Sequence, residues 1–344
     1  MLDERTLRAL PKAELHRHLD GSVRLATIAE LARRHALDLG VRSQEELAEQ
    51  ARVLTPLADL NEVIARFGIL QKVLCCYEAI RRVAYENVED AWFDGVKLVE
   101  LRFALPFIAA GKRLANDEIL EAVLDGVQEG AARYGIEVAL IGILPRTASL
   151  QVNLAATQDL LRCARGPHPG AHRILGFDLA DSETARPPEE FLPLVEQARA
   201  AGLGITIHSG ENTSAAHVLR TLQLFRPSRI GHGIKAWEDA EAVRLLRERD
   251  VTLEVCPTSN WLTHSVPSLE AHPLPALRRA GVRVTLNSDD PHLMGIDLVH
   301  EYELAARLYG FALADFLEMN REAVRSSFLP EEARRRILAR HFPP

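Results

Sequence analysis

Apolar residues gather in eight short runs along the chain, separated by longer stretches in which apolar and polar positions recur with helical spacing. The runs are Ala13–Leu19, Val96–Ala104, Ile136–Leu144, Ile174–Ala180, Gly204–Gly210, Arg229–Ile234, Val251–Cys256 and Val282–Ser288. Most are rich in β-branched residues and leucine and lack strict alternation, the pattern of strands buried on both faces. Asn116–Tyr134, Pro188–Ala201 and Trp237–Arg249 carry helical patterns. The first is opened by Asn116 and has acids in its first turn. Gly202 and Gly281 follow helical runs where a C-terminal glycine belongs.

Strands alternating with helices imply parallel pairing through right-handed crossovers. Eight such units predict an α/β chain closed into a (β/α)8 TIM barrel. An open doubly wound sheet is the competing architecture, weakened because no Gly-x-Gly-x-x-Gly opens the first unit. Leu25–Tyr85 reads as a helical insert after the first strand, and Leu313–His341 as extra C-terminal helices closing one end. No short repeat, low-complexity tract or long linker divides the chain, so residues 1–344 are expected to form a single domain.

The 344 residues are 47% apolar and 26% charged, the balance of a water-soluble globular fold with a sizeable core. A net charge of −7 argues against a nucleic-acid partner, and the arginines at 334–336 follow Glu331 and Glu332 as a solvated helix face would. No apolar run approaches a membrane span, and the charged N-terminus has no signal-peptide core. Cys75, Cys76, Cys163 and Cys256 form no Cys-x-x-Cys pair and suggest incidental thiols. A cytoplasmic location is the expectation.

Polar residues interrupt these strands at their C-terminal ends, the catalytic face of a barrel. His16 and His18 lie two apart in Glu14-Leu15-His16-Arg17-His18, so both project to one side of the first strand and can share a metal. His208 ends the fifth strand and Glu211 follows three residues later; a helix-capping role would also explain that glutamate. His232 stands between Gly231 and Gly233, which permit close approach by backbone or ligand. Asp289 and Asp290 end the eighth strand, either around a cation or in an exposed Asp-Asp-Pro turn. Three imidazoles and a carboxylate suit zinc, with iron, cobalt or nickel also acceptable to such ligands. Zinc lowers the pKa of a bound water to roughly 7.

The chain resembles the adenosine deaminase family of the amidohydrolase superfamily. The resemblance rests on six ordered segments: residues 11–21, Gly176-Phe177-Asp178-Leu179-Ala180, His208-Ser209-Gly210-Glu211, Arg229-Ile230-Gly231-His232-Gly233, Glu254-Val255-Cys256-Pro257-Thr258-Ser259-Asn260, and Asn287-Ser288-Asp289-Asp290-Pro291. Ser326-Ser327-Phe328-Leu329-Pro330 is similar to the family's tail, and the match spans about residues 11–335. It implies zinc, one ion per subunit, held by His16, His18, His208 and Asp289. Glu211 would protonate purine N1 as water adds to C6. His232 would orient the water and help deprotonate it. Asp290 would accept a hydrogen bond from the hydroxide or from the purine N7 side.

Within that resemblance Asp20 occupies the position of the family's ribose 5′-hydroxyl contact, where adenine-specific members tend to carry glutamate. A helix N-cap is the alternative for Asp20, with Ser22 competing. Asp181-Ser182-Glu183 departs from the nucleoside deaminases' Gly-Asp-Glu toward the adenine type. Asp181 could still offer its backbone N–H to purine N3, and its side chain would reshape the pocket near the sugar. Leu57, Leu60, Val63, Ile64 and Phe67 recur with the spacing of an apolar lid over the sugar, or of ordinary core packing.

The expected reaction is therefore zinc-dependent deamination of adenosine or 2′-deoxyadenosine, a small-molecule partner. The alternatives are 6-aminodeoxyfutalosine, free adenine, or a non-catalytic nucleoside-binding relative that would have lost Glu211 or a metal ligand. A two-metal amidohydrolase bridged by a carboxylated lysine would need a lysine at a strand tip. Only Lys97, near the start of the second strand, comes near that requirement.

Overall fold

A computed structural model describes residues 2–343. Eight parallel strands pair in chain order: β1 Lys12–His18, β2 Val96–Phe103, β3 Glu137–Pro145, β4 Ile174–Ala180, β5 Gly204–Ser209, β6 Arg229–His232, β7 Thr252–Val255 and β8 Arg283–Leu286. They follow the eight expected runs, with ends shifted by up to two residues. Nearly every strand residue is buried, consistent with side chains packed both inside the barrel and against outer helices.

The seam between β8 and β1 is joined largely by side chains. The Leu15 N–H donates to Asn287 Oδ1 (2.9 Å), and the Ser288 N–H donates to Glu14 Oε1 (2.9 Å). Two backbone bonds then complete closure, His18 N–H to Asp289 O (2.8 Å) and Asp289 N–H to His16 O (3.0 Å). Barrel closure thus locks the backbone of Asp289 onto the strand that carries both histidines.

The insert is three helices, Leu25–Arg34, Gln44–Gln50 and Leu60–Val73, followed by Tyr77–Phe93, which is the outer helix between β1 and β2. Side chains of Ser43 and Asp59 cap the second and third. The other helical stretches are divided more finely than their patterns suggest. Pro188–Phe191 and Ile234–Glu238 are tight 3-10 turns, and the α-helices begin only at Leu192 and Ala240. Asn116 is the first helical residue of Asn116–Tyr134 rather than its cap; its side-chain amide donates to Asp159 (2.7 Å) instead. Gly202 and Gly281 stand at φ +87° and +81° directly after their helices, where a left-handed residue ends the turn.

The tail folds as two helices, Leu313–Ser326 and Glu331–His341. Between them Phe328 closes the floor of the barrel. Its ring lies against Gly176 and Gly204, where a methyl group on either glycine would overlap it. The Arg229 guanidinium sits 3.6 Å from the ring centroid, and the Phe328 N–H donates to Glu100 (2.6 Å).

A buried acid, Glu301, lies behind the catalytic rim, where its Oε1 accepts the Thr258 N–H (3.0 Å) and its Oε2 has no partner among the described residues. Burial pushes its pKa up to about 8 from an ordinary 4.5. The folded protein therefore binds this proton more tightly than the unfolded chain, and stability falls as pH rises from 4.5 toward 8. Glu301→Gln is expected to raise stability by about 2 kcal/mol at pH 7 and to have little effect at pH 4.5. Thermal melts of both proteins across that pH range would measure the difference.

Candidate active site

The C-terminal ends of the strands surround a cleft of about 700 Å³, including its open mouth. His18, Asp20, Phe67, Asp181, His208, Glu211, His232, Asp289 and Asp290 all line it, and His16 lies directly beneath, fully buried. The structure therefore gathers around one cavity every residue that the sequence offered as a catalytic group, metal ligand or polar substrate contact.

The ring geometry is tight. The His16 centroid lies 5.2 Å from that of His18, 4.7 Å from His208 and 4.9 Å from His232. The outer nitrogens of His16 and His208 are tied to carboxylates. His16 Nδ1 donates to Glu254 Oε2 (2.9 Å), and His208 Nδ1 donates to Asp178 Oδ2 (2.9 Å). Burial alone would push both acids up, but Arg102 and Arg229 around Glu254, and His208 and Arg102 around Asp178, hold them well below the usual carboxylate range. An acid that remains ionised fixes the proton on Nδ1 of each ring and leaves an Nε2 lone pair facing the cavity.

That arrangement decides what belongs between the side chains. His16 Nε2 is buried without a hydrogen-bond partner, yet it lies 3.1 Å from Asp289 Oδ1; His18 Nε2 is 3.3 Å from the same oxygen. The His16 lone pair facing a carboxylate at this distance, with a second imidazole nitrogen on the same oxygen, calls for a cation between them. His16, His18, His208 and Asp289 have the ligand types for a zinc-like ion. Within this cluster two groupings bring their ligand atoms within 4.8 Å of one another, His16 with His208 and His232, and His16 with Cys256 and Asp289. Cys256 is a poor ligand: burial pushes its thiol well up, and its Sγ contacts Glu254 O at 3.6 Å.

Glycines make the room. A methyl group at Gly231 would stand 3.1 Å from both His16 and His208, and one at Gly21 would overlap the Asp290 carboxylate. His232 and Asp289 themselves adopt left-handed backbones, φ +59° and +62°, a strained conformation for residues with side chains.

Glu211 does not cap a helix; Ser214 caps the following one. Its Oε1 accepts from Thr263 Oγ1 (2.9 Å), while Glu183 anchors its loop by accepting the N–H groups of Gly210 (2.7 Å) and Glu211 (2.9 Å). Burial first, then the charge of Asp289, pushes Glu211 well above the usual range, which favours its protonated form. Asp290 is buried and pushed up by burial and Asp289 in the same way, which excludes the exposed turn.

Asp20 and Ser22 cap nothing: the next helix has Arg24 at its N-cap, and Ser22 Oγ donates to His18 O. Asp20 accepts from Gln71 Nε2 (3.0 Å), and burial pushes it up to about 6. The Asp181 carboxylate turns away from the cavity, accepting from Thr147 and from the Ser182 N–H (2.7 Å). The pocket is therefore not reshaped by that side chain. Asp181 keeps the left-handed φ of +75° that glycine would supply, and among the described residues its N–H has no partner. Leu60, Val63, Ile64 and Phe67 form the apolar wall, but Leu57 precedes the helix and is held at its backbone by Leu262 O (3.1 Å).

The chain matches the adenosine deaminase family model over residues 11–341. It is 37% identical over 330 residues to adenosine deaminase of Shigella flexneri, covering 95% of this chain and 96% of that protein. The chain belongs to the adenosine deaminase family. An adenine deaminase from Arthrobacter aurescens superposes with a TM-score of 0.88 at 28% identity, covering 96% of this chain and 98% of that one. An N6-methyl-AMP deaminase from Arabidopsis thaliana superposes with a TM-score of 0.83 at 27% identity, covering 97% of each. Like other members of this family the chain is a metal-dependent hydrolase that deaminates purines.

Residue types alone did not assign Glu254, Asp178, Glu183, Thr263, Asn260 or His272. The available signal was a charged residue inside an otherwise apolar strand, as with Asp178 and Glu254. Glu254→Gln is expected to free the His16 tautomer and to weaken zinc about 10- to 100-fold, measurable by competition with a chelator.

Proposed function

We propose that this family member hydrolyses the 6-amino group of adenosine and 2′-deoxyadenosine, using one zinc ion per chain held by His16, His18, His208 and Asp289. When bound, the ion lowers the pKa of a water and polarises it toward attack. Glu211, already protonated, donates to purine N1 and makes C6 electrophilic. Purine N7 carries a lone pair and no hydrogen, so Asp290 would meet it as a protonated donor, the form that burial and the Asp289 charge favour. The Asp181 N–H is free to donate to N3. Water adds through oxygen to C6, the C6–N6 bond breaks, and ammonia leaves. Of the two protons that water brings, one restores Glu211 and the other departs with ammonia.

A single observation carries the choice of a nucleoside: Asp20 sits at the cavity wall as a buried acceptor, with no lysine or arginine among the described residues that line the cavity. A carboxylate matches a sugar hydroxyl and repels a phosphate. This sets the pocket apart from what an N6-methyl-AMP substrate needs. The apolar wall of Leu60, Val63, Ile64 and Phe67 lines the same cavity and offers a hydrophobic face to the sugar of a nucleoside.

The test is kcat/KM on adenosine, 2′-deoxyadenosine, 6-aminodeoxyfutalosine, adenine and AMP with the zinc-loaded protein. Adenosine is expected to lead adenine and AMP by at least 100-fold, about 2.7 kcal/mol of transition-state discrimination. A slower rate on adenosine than on any rival base or nucleoside would overturn the substrate assignment.

A further inference from the structure

A chain of buried hydrogen bonds runs from the backbone to His232, whose Nδ1 meets an amide where those of His16 and His208 meet carboxylates. It begins where the His272-Pro273 turn enters the helix Leu274–Arg279. There the Leu274 N–H donates to His272 Nδ1 (3.0 Å). A backbone N–H can only donate, so Nδ1 is an acceptor, and the proton of the neutral ring is on Nε2. His272 is buried, which keeps it neutral, and its Nε2 lies 3.1 Å from Asn260 Oδ1. The helix Pro257–Leu262 holds Asn260 at 0% exposure, with its backbone carbonyl accepting from Ser265 N–H (2.8 Å) and Val266 N–H (3.1 Å).

Because the ring donates, the amide must present its oxygen to His272 and its NH2 to the other side. That side is His232 Nδ1, 3.0 Å from Asn260 Nδ2. Each link has one polarity, and it follows from the Leu274 peptide. We infer that Asn260 and His272 are positioning residues that lock His232 as the Nε2–H tautomer, so that it faces the reacting water as a hydrogen-bond donor.

Two consequences follow. A neutral ring protonated at Nε2 has no lone pair for a metal, which separates His232 from His16 and His208 although all three come within ligand distance of one another. It also has no lone pair with which to take a proton from water, so it orients the nucleophile and does not act as its base. The Nε2–H lies 3.6 Å from Glu211 Oε2 and 3.7 Å from Asp289 Oδ2, at the point where an attacking oxygen must be held. This inference rests on the deaminase reading for its catalytic consequence, but its primary readout does not use turnover.

The primary test is histidine-selective 15N NMR of the zinc-loaded protein, with the His232 signals assigned by their loss in His232→Asn. Protonated Nε2 and bare Nδ1 on His232 are expected; a proton on Nδ1 would overturn the inference. Asn260→Asp replaces the donating NH2 with an acceptor and is expected to move the proton to Nδ1. With zinc retained, kcat should fall about 10- to 100-fold and KM should stay within twofold. His272→Gln, whose amide can donate as Nε2–H does, should keep the native tautomer and most of kcat, whereas His272→Phe should not. Equal kcat in His272→Gln and His272→Phe, or a native tautomer in Asn260→Asp, counts against the relay. If adenosine proved a poor substrate while the tautomer held, the substrate assignment would fail and the relay would stand.

Discussion

Glu211→Gln is expected to lower kcat on adenosine about 1000-fold, with zinc content and KM near those of the parent protein. The expectation comes from where the carboxyl sits. It is 4% exposed and near the Asp289 carboxylate, and hydrogen bonds from the Thr263 hydroxyl and the Asn260 side chain offset these effects only in part. Burial and a neighbouring negative charge both disfavour ionisation, so the acid enters the reaction with its proton. Glutamine keeps the shape and can still donate a hydrogen bond to N1, which preserves binding. It cannot transfer a proton, which removes the step that makes C6 electrophilic. The same reasoning sets the sign of the pH dependence. The proton is present below the raised pKa of Glu211 and lost as pH rises through it, so kcat should decline on the alkaline side. Glu211→Gln should lack that decline. Steady-state kinetics between pH 6 and 10, with zinc measured on the same samples, would check both; a kcat within tenfold of the parent would remove Glu211 from the acid's role.

The barrel was legible because parallel strands buried on both faces leave nearly continuous apolar runs, and four of the runs here, the first, fifth, sixth and eighth, end in residues that an apolar environment does not tolerate unpaired. His16 and His18 were legible as a pair from strand geometry alone. The β1–β8 seam was not, because it depends on the side chains of Glu14 and Asn287 reaching backbone across more than 270 positions of chain. The subdivision of the insert escaped for another reason: caps at Ser43 and Asp59 are local signals inside a stretch whose periodicity continues past them. Asp181 shows the limit of residue type. Its identity suggested a carboxylate acting on the pocket, but Thr147 and the Ser182 N–H engage that group, and the left-handed backbone leaves the Asp181 N–H without a partner among the described residues. Asn260 closes one of the segments that carry the family resemblance and His272 lies in none, but neither residue's role was legible, since it depends on which way each hydrogen bond points.

Stripping the metal is expected to lower adenosine turnover by on the order of 1000-fold or more, with zinc restoring it and magnesium failing to. Three of the four proposed ligands are imidazoles, which favour zinc over a hard cation that prefers oxygen. Without a cation the cavity holds Asp289 against the lone pairs of His16 and His18, and Asp289 crowds Asp290 and Glu211. The stripped protein should relieve this by taking up protons, so zinc competes with protons and its affinity should fall as pH falls. Asp289→Ala tests the ligand set separately from the chelator. It removes the only anionic ligand, and the backbone bonds to His16 O and His18 N–H that close the barrel remain available to alanine. The variant should therefore fold while losing zinc, because three neutral imidazoles must then hold a divalent ion alone. Elemental analysis, circular dichroism and turnover on one preparation separate the outcomes. A folded Asp289→Ala protein with full zinc would exclude Asp289 as a ligand, and full turnover by a metal-free parent protein would exclude metal-assisted hydrolysis at this site.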